Sequence, residues 1–334
     1  MGRIYTSITE LIGNTPLFEI VNYEKKHNLK ARILVKLEYF NPNQSIKDRI
    51  AYAMLEDAEK SGQLKPGDTI VEVTSGNTGI GLAALAAAKG YKFKVYIQDH
   101  VSKERFQVIH AFGGETVKYF DEPAIVETLK ATDNDFVEAV KALEREVFSK
   151  DKRLFFINQL GNPANPEAHY KHTGPEIWED ADGKVDIFVS NVGTGGTITG
   201  TGKYLKSKNP DIKIIAIQPG PDSIPTPENP TPEEIQGVHQ FEGIPECRIP
   251  QVLDKSVYDE YIEVETPQAY EAAREVAKTD GILVGTSSGA ALHVATELAK
   301  LPENEGKTIV AIFPDTGLRY LSTNLFKEDE TNGD

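Results

Sequence analysis

Asp186-Ile187-Phe188-Val189-Ser190-Asn191-Val192-Gly193-Thr194-Gly195-Gly196-Thr197-Ile198-Thr199-Gly200 divides into two halves of opposite character. Residues 186–192 carry Ile, Phe and Val in a short apolar run, which reads as a buried strand. Residues 193–200 are almost wholly Gly and Thr, which reads as a tight turn ahead of a helix expected after Gly200. The same passage from strand through turn to helix recurs along the chain. Strands are expected at 31–36, 68–73, 93–98, 116–119, 213–218 and 308–313. Helices are expected at 50–60, 80–89, 102–112, 135–148, 267–278 and 289–298. Such alternation implies an α/β fold with parallel sheets and crossover helices on both faces. The length of 334 residues suggests about two domains. Residues 219–232 are crowded with prolines and read as an irregular loop, and 327–334 as a frayed acidic tail.

Three of the strand-to-helix turns carry polar chemistry. No Lys or Arg lies between Asn191 and Gly202, so an anion on 193–197 would be held by backbone N–H groups, Thr hydroxyls and the helix dipole. The turn ends without the GK[ST] of a Walker loop, and Ile198 stands where a Rossmann turn has its third Gly. The second turn, Thr74-Ser75-Gly76-Asn77-Thr78-Gly79, suits a carboxylate, and the same residues would equally make a capped helix start. The third, Gly285-Thr286-Ser287-Ser288-Gly289, matches the G-x-S-x-G elbow of serine hydrolases. That reading needs an acid and then a His downstream. Only His293 follows, with no acidic residue between, so it is set aside.

Ahead of these turns, Asn41-Pro42-Asn43-Gln44-Ser45-Ile46-Lys47-Asp48-Arg49 puts a lysine at a loop-to-helix junction. An amine aimed into a ligand site from such a place suits Schiff-base chemistry. The alternative is an ordinary solvated helix-start lysine. His169 and His172 form an HxxH pair whose only neighbouring acid is Glu167, so hydrogen-bonding histidines are expected rather than a metal site.

Bulk properties narrow the classes. A net charge of −15 argues against nucleic acid. No run of about 18 apolar residues exists to cross a membrane, and no signal peptide is visible. One cysteine, Cys247, permits no internal disulfide. A cytoplasmic enzyme is the natural expectation.

A Schiff-base lysine, a cationless anion turn and a carboxylate turn together fit pyridoxal 5′-phosphate, which needs an amine, a phosphate site and a partner for its ring nitrogen. The chain also resembles the cysteine synthases (O-acetylserine sulfhydrylases) and the related cystathionine β-synthases, pyridoxal enzymes of the tryptophan-synthase-β type. The likeness runs through Leu11-Ile12-Gly13-Asn14-Thr15-Pro16-Leu17, Ser45 to Arg49, Thr74 to Gly79, Asn162-Pro163-Ala164-Asn165-Pro166, Thr173-Gly174-Pro175-Glu176-Ile177-Trp178, Gly193 to Thr197, Ser287-Ser288-Gly289 and Arg319-Tyr320-Leu321-Ser322-Thr323. It implies that Lys47 forms the Schiff base and later moves the Cα proton. It implies Asn77 on the cofactor O3′, and Thr74, Ser75, Thr78 and Gln159 on the substrate carboxylate. The phosphate would sit on Gly193, Thr194, Gly195, Gly196 and Thr197, and Ser287 would face the pyridine nitrogen. A neutral hydroxyl there favours protonation of the ring less than a carboxylate would. The ring is then a weaker electron sink, suited to loss of a β-substituent.

The activity so implied is β-replacement, cysteine from O-acetyl-L-serine and sulfide by way of an aminoacrylate. The alternative is β-replacement on serine, cysteine or homocysteine, or a cysteine lyase releasing hydrogen sulfide. The resemblance further implies two three-layer α/β/α domains, 38–151 small and mobile and 1–37 with 152–326 large, with the cofactor in the cleft between them. It implies a homodimer and admits serine acetyltransferase as a partner. The chain departs from the family at Asn43-Gln44, at Gln98 to Ser102, in the segment Gly237-Val238-His239-Gln240-Phe241-Glu242-Gly243, and at Asp315 in Pro314-Asp315-Thr316-Gly317. Glu242 or Asp315 would serve as the acid for expelling a poorer leaving group; the alternative is that both are solvated surface acids.

Overall fold

The structure, a computed structural model, describes residues 4–74, 76–98, 101–132, 135–226 and 228–327. Ser75 and residues 328–334 of the expected tail lie outside the described residues. In chain order the strands are β1 (Leu17–Glu19), β2 (Arg32–Leu37), β3 (Thr69–Thr74), β4 (Lys92–Ile97), β5 (Glu115–Lys118), β6 (Leu154–Phe156), β7 (Ile187–Asn191), β8 (Lys213–Pro219), β9 (Glu260–Val264) and β10 (Thr308–Phe313). They form two sheets, one ordered β1-β2-β10-β7-β8-β9 and a smaller one ordered β5-β4-β3-β6. Among the ten strands only the β1–β2 pairing is antiparallel and the rest are parallel; two isolated bridges, Ser45 with Asp315 and Val284 with Thr316, are antiparallel.

Both faces of each sheet are covered, and the side-chain period of two shows how. In the larger sheet Ile33, Val35, Ile187, Val189, Ile215, Ile217, Ile309 and Ala311 point into one core, against helices Thr266–Asp280 and Thr286–Lys300. Their neighbours Leu34, Phe188, Ile214, Ala216, Val310 and Ile312 point into the other, with Ile177, Ile198 and Leu205. In the smaller sheet Ile70, Phe93, Val95 and Ile97 meet helices Lys47–Lys60 and Asn77–Lys89. On its other face Val71, Val73 and Tyr96 meet Ile125, Ala139, Val140 and Leu143. A strand buried on both faces must be apolar throughout, which is why these strands read as continuous hydrophobic runs. Each fully buried Leu, Ile or Val contributes about 1.5–3 kcal/mol.

The expected strands fall within a residue or two of their observed bounds, whereas the helices that carry chemistry begin earlier than expected. They start at Lys47, Asn77, Gly196 and Thr286, against 50, 80, after 200 and 289. Gly, Thr and Ser are poor helix formers, so local propensity assigns them to the turn. Instead they form the first helical turn, where the leading N–H groups lack intrahelical acceptors. The short strands β1, β6 and β9 were not expected either; β6 adds Leu154–Phe156 to the smaller sheet, beyond residue 151.

Three arginines supply some of the polar links between the layers of the two sheets. Arg49, on the helix under the smaller sheet, is buried and grips Glu176 through both terminal nitrogens at 2.7 Å and Glu38 through Nε at 2.7 Å. Arg105, on helix Lys103–Ala111, donates to the Tyr320 hydroxyl at 3.0 Å. Arg248 reaches Asp135 at 3.3 Å and the Thr132 carbonyl at 3.2 Å. Cys247, beside Arg248, is exposed.

Candidate active site

A cavity opens where the carboxyl ends of β3, β7 and β10 face one another, the position at which open parallel sheets bind ligands. Lys47 lines it, placed at the first position of its helix by the 41–46 turn, in which Gln44 takes a positive φ of 59°. The Lys47 side chain is part-buried, and its Nζ has no hydrogen-bond or ion-pair partner among the described residues. Desolvation lowers its pKa, while the charges of Asp315 and Glu38 pull it back up. The net effect is an amine that gives up its proton more readily than a solvated lysine.

Gly193, Thr194, Gly195 and Thr197 line the same cavity. Their glycines are structurally required. Gly195 has φ +87°, and a Cβ there would lie 2.6 Å from the Leu253 Cβ. A Cβ on Gly193 would lie 2.4 Å from the Gly237 carbonyl, and one on Gly196 1.9 Å from the Asn165 side chain. The backbone is therefore packed tightly from behind; the N-cap Gly195 has no side chain to cap helix Gly196–Lys208, and the Gly196 N–H donates to Thr194 Oγ1 at 3.3 Å. Asn165 donates to Thr194 Oγ1 at 3.1 Å, and His169 Nε2 lies 3.3 Å from Thr197 Oγ1. His169 is fully buried, and burial pushes its pKa well down, with Arg49 and Lys47 adding to the effect. Of the HxxH pair, it is this neutral histidine that braces the turn; His172 is exposed.

Thr74, Asn77, Thr78 and Gln159 line the cavity from the side of the smaller sheet. Thr78 Oγ1 donates to Gln159 Oε1 at 2.6 Å, and Gln159 Nε2 donates to the Val73 carbonyl at 3.2 Å. Thr74 Oγ1 accepts from the Gly76 N–H at 3.2 Å. Gly76 has φ +137° and lies against Arg105, whose Cδ would be 2.3 Å from a Cβ there. Beneath them Glu72 is buried, its two oxygens accepting the N–H groups of Val73 at 2.6 Å and Gln159 at 2.9 Å. Burial pushes its pKa up to about 8.

Ser287, in the first turn of helix Thr286–Lys300, completes the wall, and its carbonyl accepts from Asn191 Nδ2 at 2.8 Å. Asn77 Nδ2 donates to Asp315 Oδ2 at 2.7 Å, and Arg319 donates to Asn77 Oδ1 at 2.6 Å. The Asn77 amide keeps a second hydrogen for another acceptor. Asp315 is fully buried; Oδ2 also accepts from Tyr320 at 2.7 Å, while Oδ1 has no hydrogen-bond partner. Glu242 does not line the cavity; it pairs with Lys255 at 3.0 Å and accepts from Tyr258. Its neighbour His239 does line it.

The structure thus brings Lys47, Asn77, Thr74, Thr78, Gln159, Gly193, Thr194, Gly195, Thr197 and Ser287 to one cavity. Gly196 stands directly behind, packed on Asn165. Arg105, Gln236 and His239 are cavity residues that the sequence reading did not nominate. His239 lay in a segment flagged as unusual, whereas nothing in local sequence marks Arg105. An amine without a partner among the described residues, a glycine-rich turn backed by packed side chains and a cluster of hydroxyl and amide groups fit a phosphorylated aldehyde cofactor together with an amino-acid carboxylate.

Comparison with known proteins agrees. The family model for pyridoxal-phosphate dependent enzymes matches residues 8–315. A cysteine synthase of Staphylococcus aureus (strain Mu50 / ATCC 700699) is 43% identical over 325 residues, covering 97% of this chain and 98% of the relative. A solved cysteine synthase from Entamoeba histolytica is 42% identical with a TM-score of 0.80, covering 98% of this chain and 93% of its own. A solved hydrogen sulfide-producing enzyme from Fusobacterium nucleatum is 38% identical with a TM-score of 0.82, covering 95% and 100%. The chain belongs to the pyridoxal-phosphate dependent enzymes, within the family that includes the cysteine synthases.

Proposed function

We propose that the chain makes L-cysteine from O-acetyl-L-serine and sulfide by β-replacement. The observation that carries this reading is the Lys47 amine, without a partner among the described residues, in one cavity with the cationless 193–197 turn. Bound there, pyridoxal 5′-phosphate supplies the electron sink that makes the substrate Cα–H bond labile.

Lys47 Nζ holds the cofactor, then takes the Cα proton and later returns it; its lowered pKa keeps a neutral amine accessible. Residues 193–197 hold the phosphate by backbone N–H groups and the helix dipole. Asn77 orients the ring through O3′ with its second amide hydrogen, and the Ser287 hydroxyl faces the ring nitrogen. Thr74, Ser75, Thr78 and Gln159 take the substrate carboxylate. Residues 38–151, extended by β6, form the smaller unit, which closes over that carboxylate and excludes water. Residues 1–37 and the remainder of 152–326 form the larger unit. The same reading makes the protein a cytoplasmic homodimer, with serine acetyltransferase a candidate partner.

The test is to mix the purified holoenzyme in turn with O-acetylserine, O-phosphoserine, serine and cysteine, and to measure the group released and the thiol formed when sulfide follows. Acetate release from O-acetylserine followed by sulfide-dependent cysteine is expected. Absence of acetate release sinks the reading.

Asp315 favours a second reading, β-replacement on serine, cysteine or homocysteine, or hydrogen sulfide release from cysteine. Its buried carboxylate has one oxygen without a partner and acts on the charge of Lys47. Asp315→Asn should then cut turnover of serine or cysteine much more than turnover of O-acetylserine. Equal losses, or no turnover of serine and cysteine by the wild type, leave the first reading alone.

A further inference from the structure

The cavity adjoins a second chamber, with about 190 Å³ of space open to water-sized molecules. The two share Gln98, Arg105, Gln236, Gly237, Val238 and His239 along their walls. His239 therefore stands at the junction, between the Lys47 chamber and the outer one. Its backbone is pinned there: the His239 N–H donates to the Val192 carbonyl at 2.8 Å, one residue before the 193–197 turn. Gly237, two residues back, has φ +81°, and its carbonyl packs on Gly193. The segment is thus keyed to the turn, and His239 lines both chambers.

We propose that His239 is a catalytic base for the second substrate, taking the proton from a protonated sulfur nucleophile as it passes from the outer chamber to the reacting carbon. The proposal rests on the β-replacement reading. In the step the S–H bond breaks, its electron pair forms the new S–C bond at the β-carbon, and the proton goes to the imidazole. His239 then releases that proton to water through the outer chamber. The proton for Cα comes from Lys47, which took it in the first half-reaction, so the cycle balances.

The charged groups facing the junction decide the protonation state of the imidazole. They are Lys47 from its helix start, Arg105 from helix Lys103–Ala111 and Glu234 from the same loop as His239. Desolvation lowers the His239 pKa, Glu234 opposes this, and Lys47 adds to it. A neutral imidazole can accept a proton near neutrality, whereas the guanidinium of Arg105 cannot.

The test compares wild-type, His239→Gly and His239→Asn holoenzymes in two half-reactions measured separately. The first is acetate released on adding O-acetylserine alone; the second is cysteine formed when sulfide is then added. At about pH 6 both variants should slow the second at least about tenfold more than the first, the scale of a lost acid–base group. The gap should close by about pH 9, where sulfide is already hydrosulfide and needs no base. In NMR of histidine-labelled holoenzyme, the signal missing from His239→Gly should titrate below the ordinary midpoint of about 6.5. Equal slowing of both halves, a gap that ignores pH, or a midpoint above about 7 overturns the proposal. A wild type that releases no acetate fails at the β-replacement reading and takes the proposal with it. A wild type that releases acetate, beside variants that show no gap, fails at His239 alone.

Discussion

Lys47 is a lysine held where its charge is poorly tolerated. Desolvation lowers its pKa, and among the described residues no acceptor binds its amine. Replacing it by alanine should remove the absorbance of bound cofactor after gel filtration. Turnover should fall by at least about a hundredfold, the low end for a positioned proton carrier. An enzyme that keeps both properties would show the cofactor anchored elsewhere. Gly195 tests the anion turn. Valine there meets both a strained φ of +87° and the Leu253 side chain. Strain of about 1–3 kcal/mol translates into cofactor affinity weaker by roughly five- to a hundredfold. Titration of the cofactor-free variant measures this, and unchanged affinity would place the phosphate elsewhere. At this scale the sequence was legible wherever chemistry restricts the residue type, as at Lys47 and in the Gly/Thr turn. It was silent about Arg105, an arginine on a helix whose partners Tyr320 and Gln236 lie far along the chain. It pointed to Glu242 where the fold delivers His239, because residues three apart in a loop can face different ways.

Among the elements, the central strands follow from pattern alone, since a strand such as β10 is apolar on every residue from Ile309 to Phe313 and can only be buried on both faces, whereas the short edge strands β1, β6 and β9 do not. The helix starts do not, because packing overrides the poor propensity of Gly and Thr. Strand β3 carries the clearest pH signature. Glu72, on that strand, has its pKa pushed up to about 8 by burial. Below the unfolded value of about 4.3 both states hold the proton. Above it the folded chain keeps a proton that the unfolded chain has lost. The stability contributed is therefore full at low pH and lost as pH rises through about 8. Calorimetric Tm values measured between about pH 5 and 8.5 should fall less steeply for Glu72→Gln than for the wild type, beneath a uniform loss from the weaker acceptor. Parallel slopes would mean that Glu72 is ionised throughout.

For the whole molecule, what matters is how the two sheets are tied. Arg49 sits on the Lys47 helix and is clamped by Glu38 and by Glu176, which Lys36 also holds at 3.0 Å. Burial alone would raise the Glu176 pKa, but its bonds to Arg49 hold it down at about 2. Arg49→Met should cost about 3–5 kcal/mol in chemical denaturation, because it strands the carboxylate of Glu38 without its cation. A loss under about 1 kcal/mol would show the cluster to be solvated, as exposed pairs are. Arg248 makes a further tie, to Asp135 and Thr132 on the far side of the smaller sheet. Next to it stands the only thiol in the chain, and that thiol is exposed. A maleimide fluorophore would therefore attach at one place without any engineering, directly on the seam between the sheets. The closure proposed above could be followed as a change in emission, in the native protein and in real time, with every residue of the cavity left untouched.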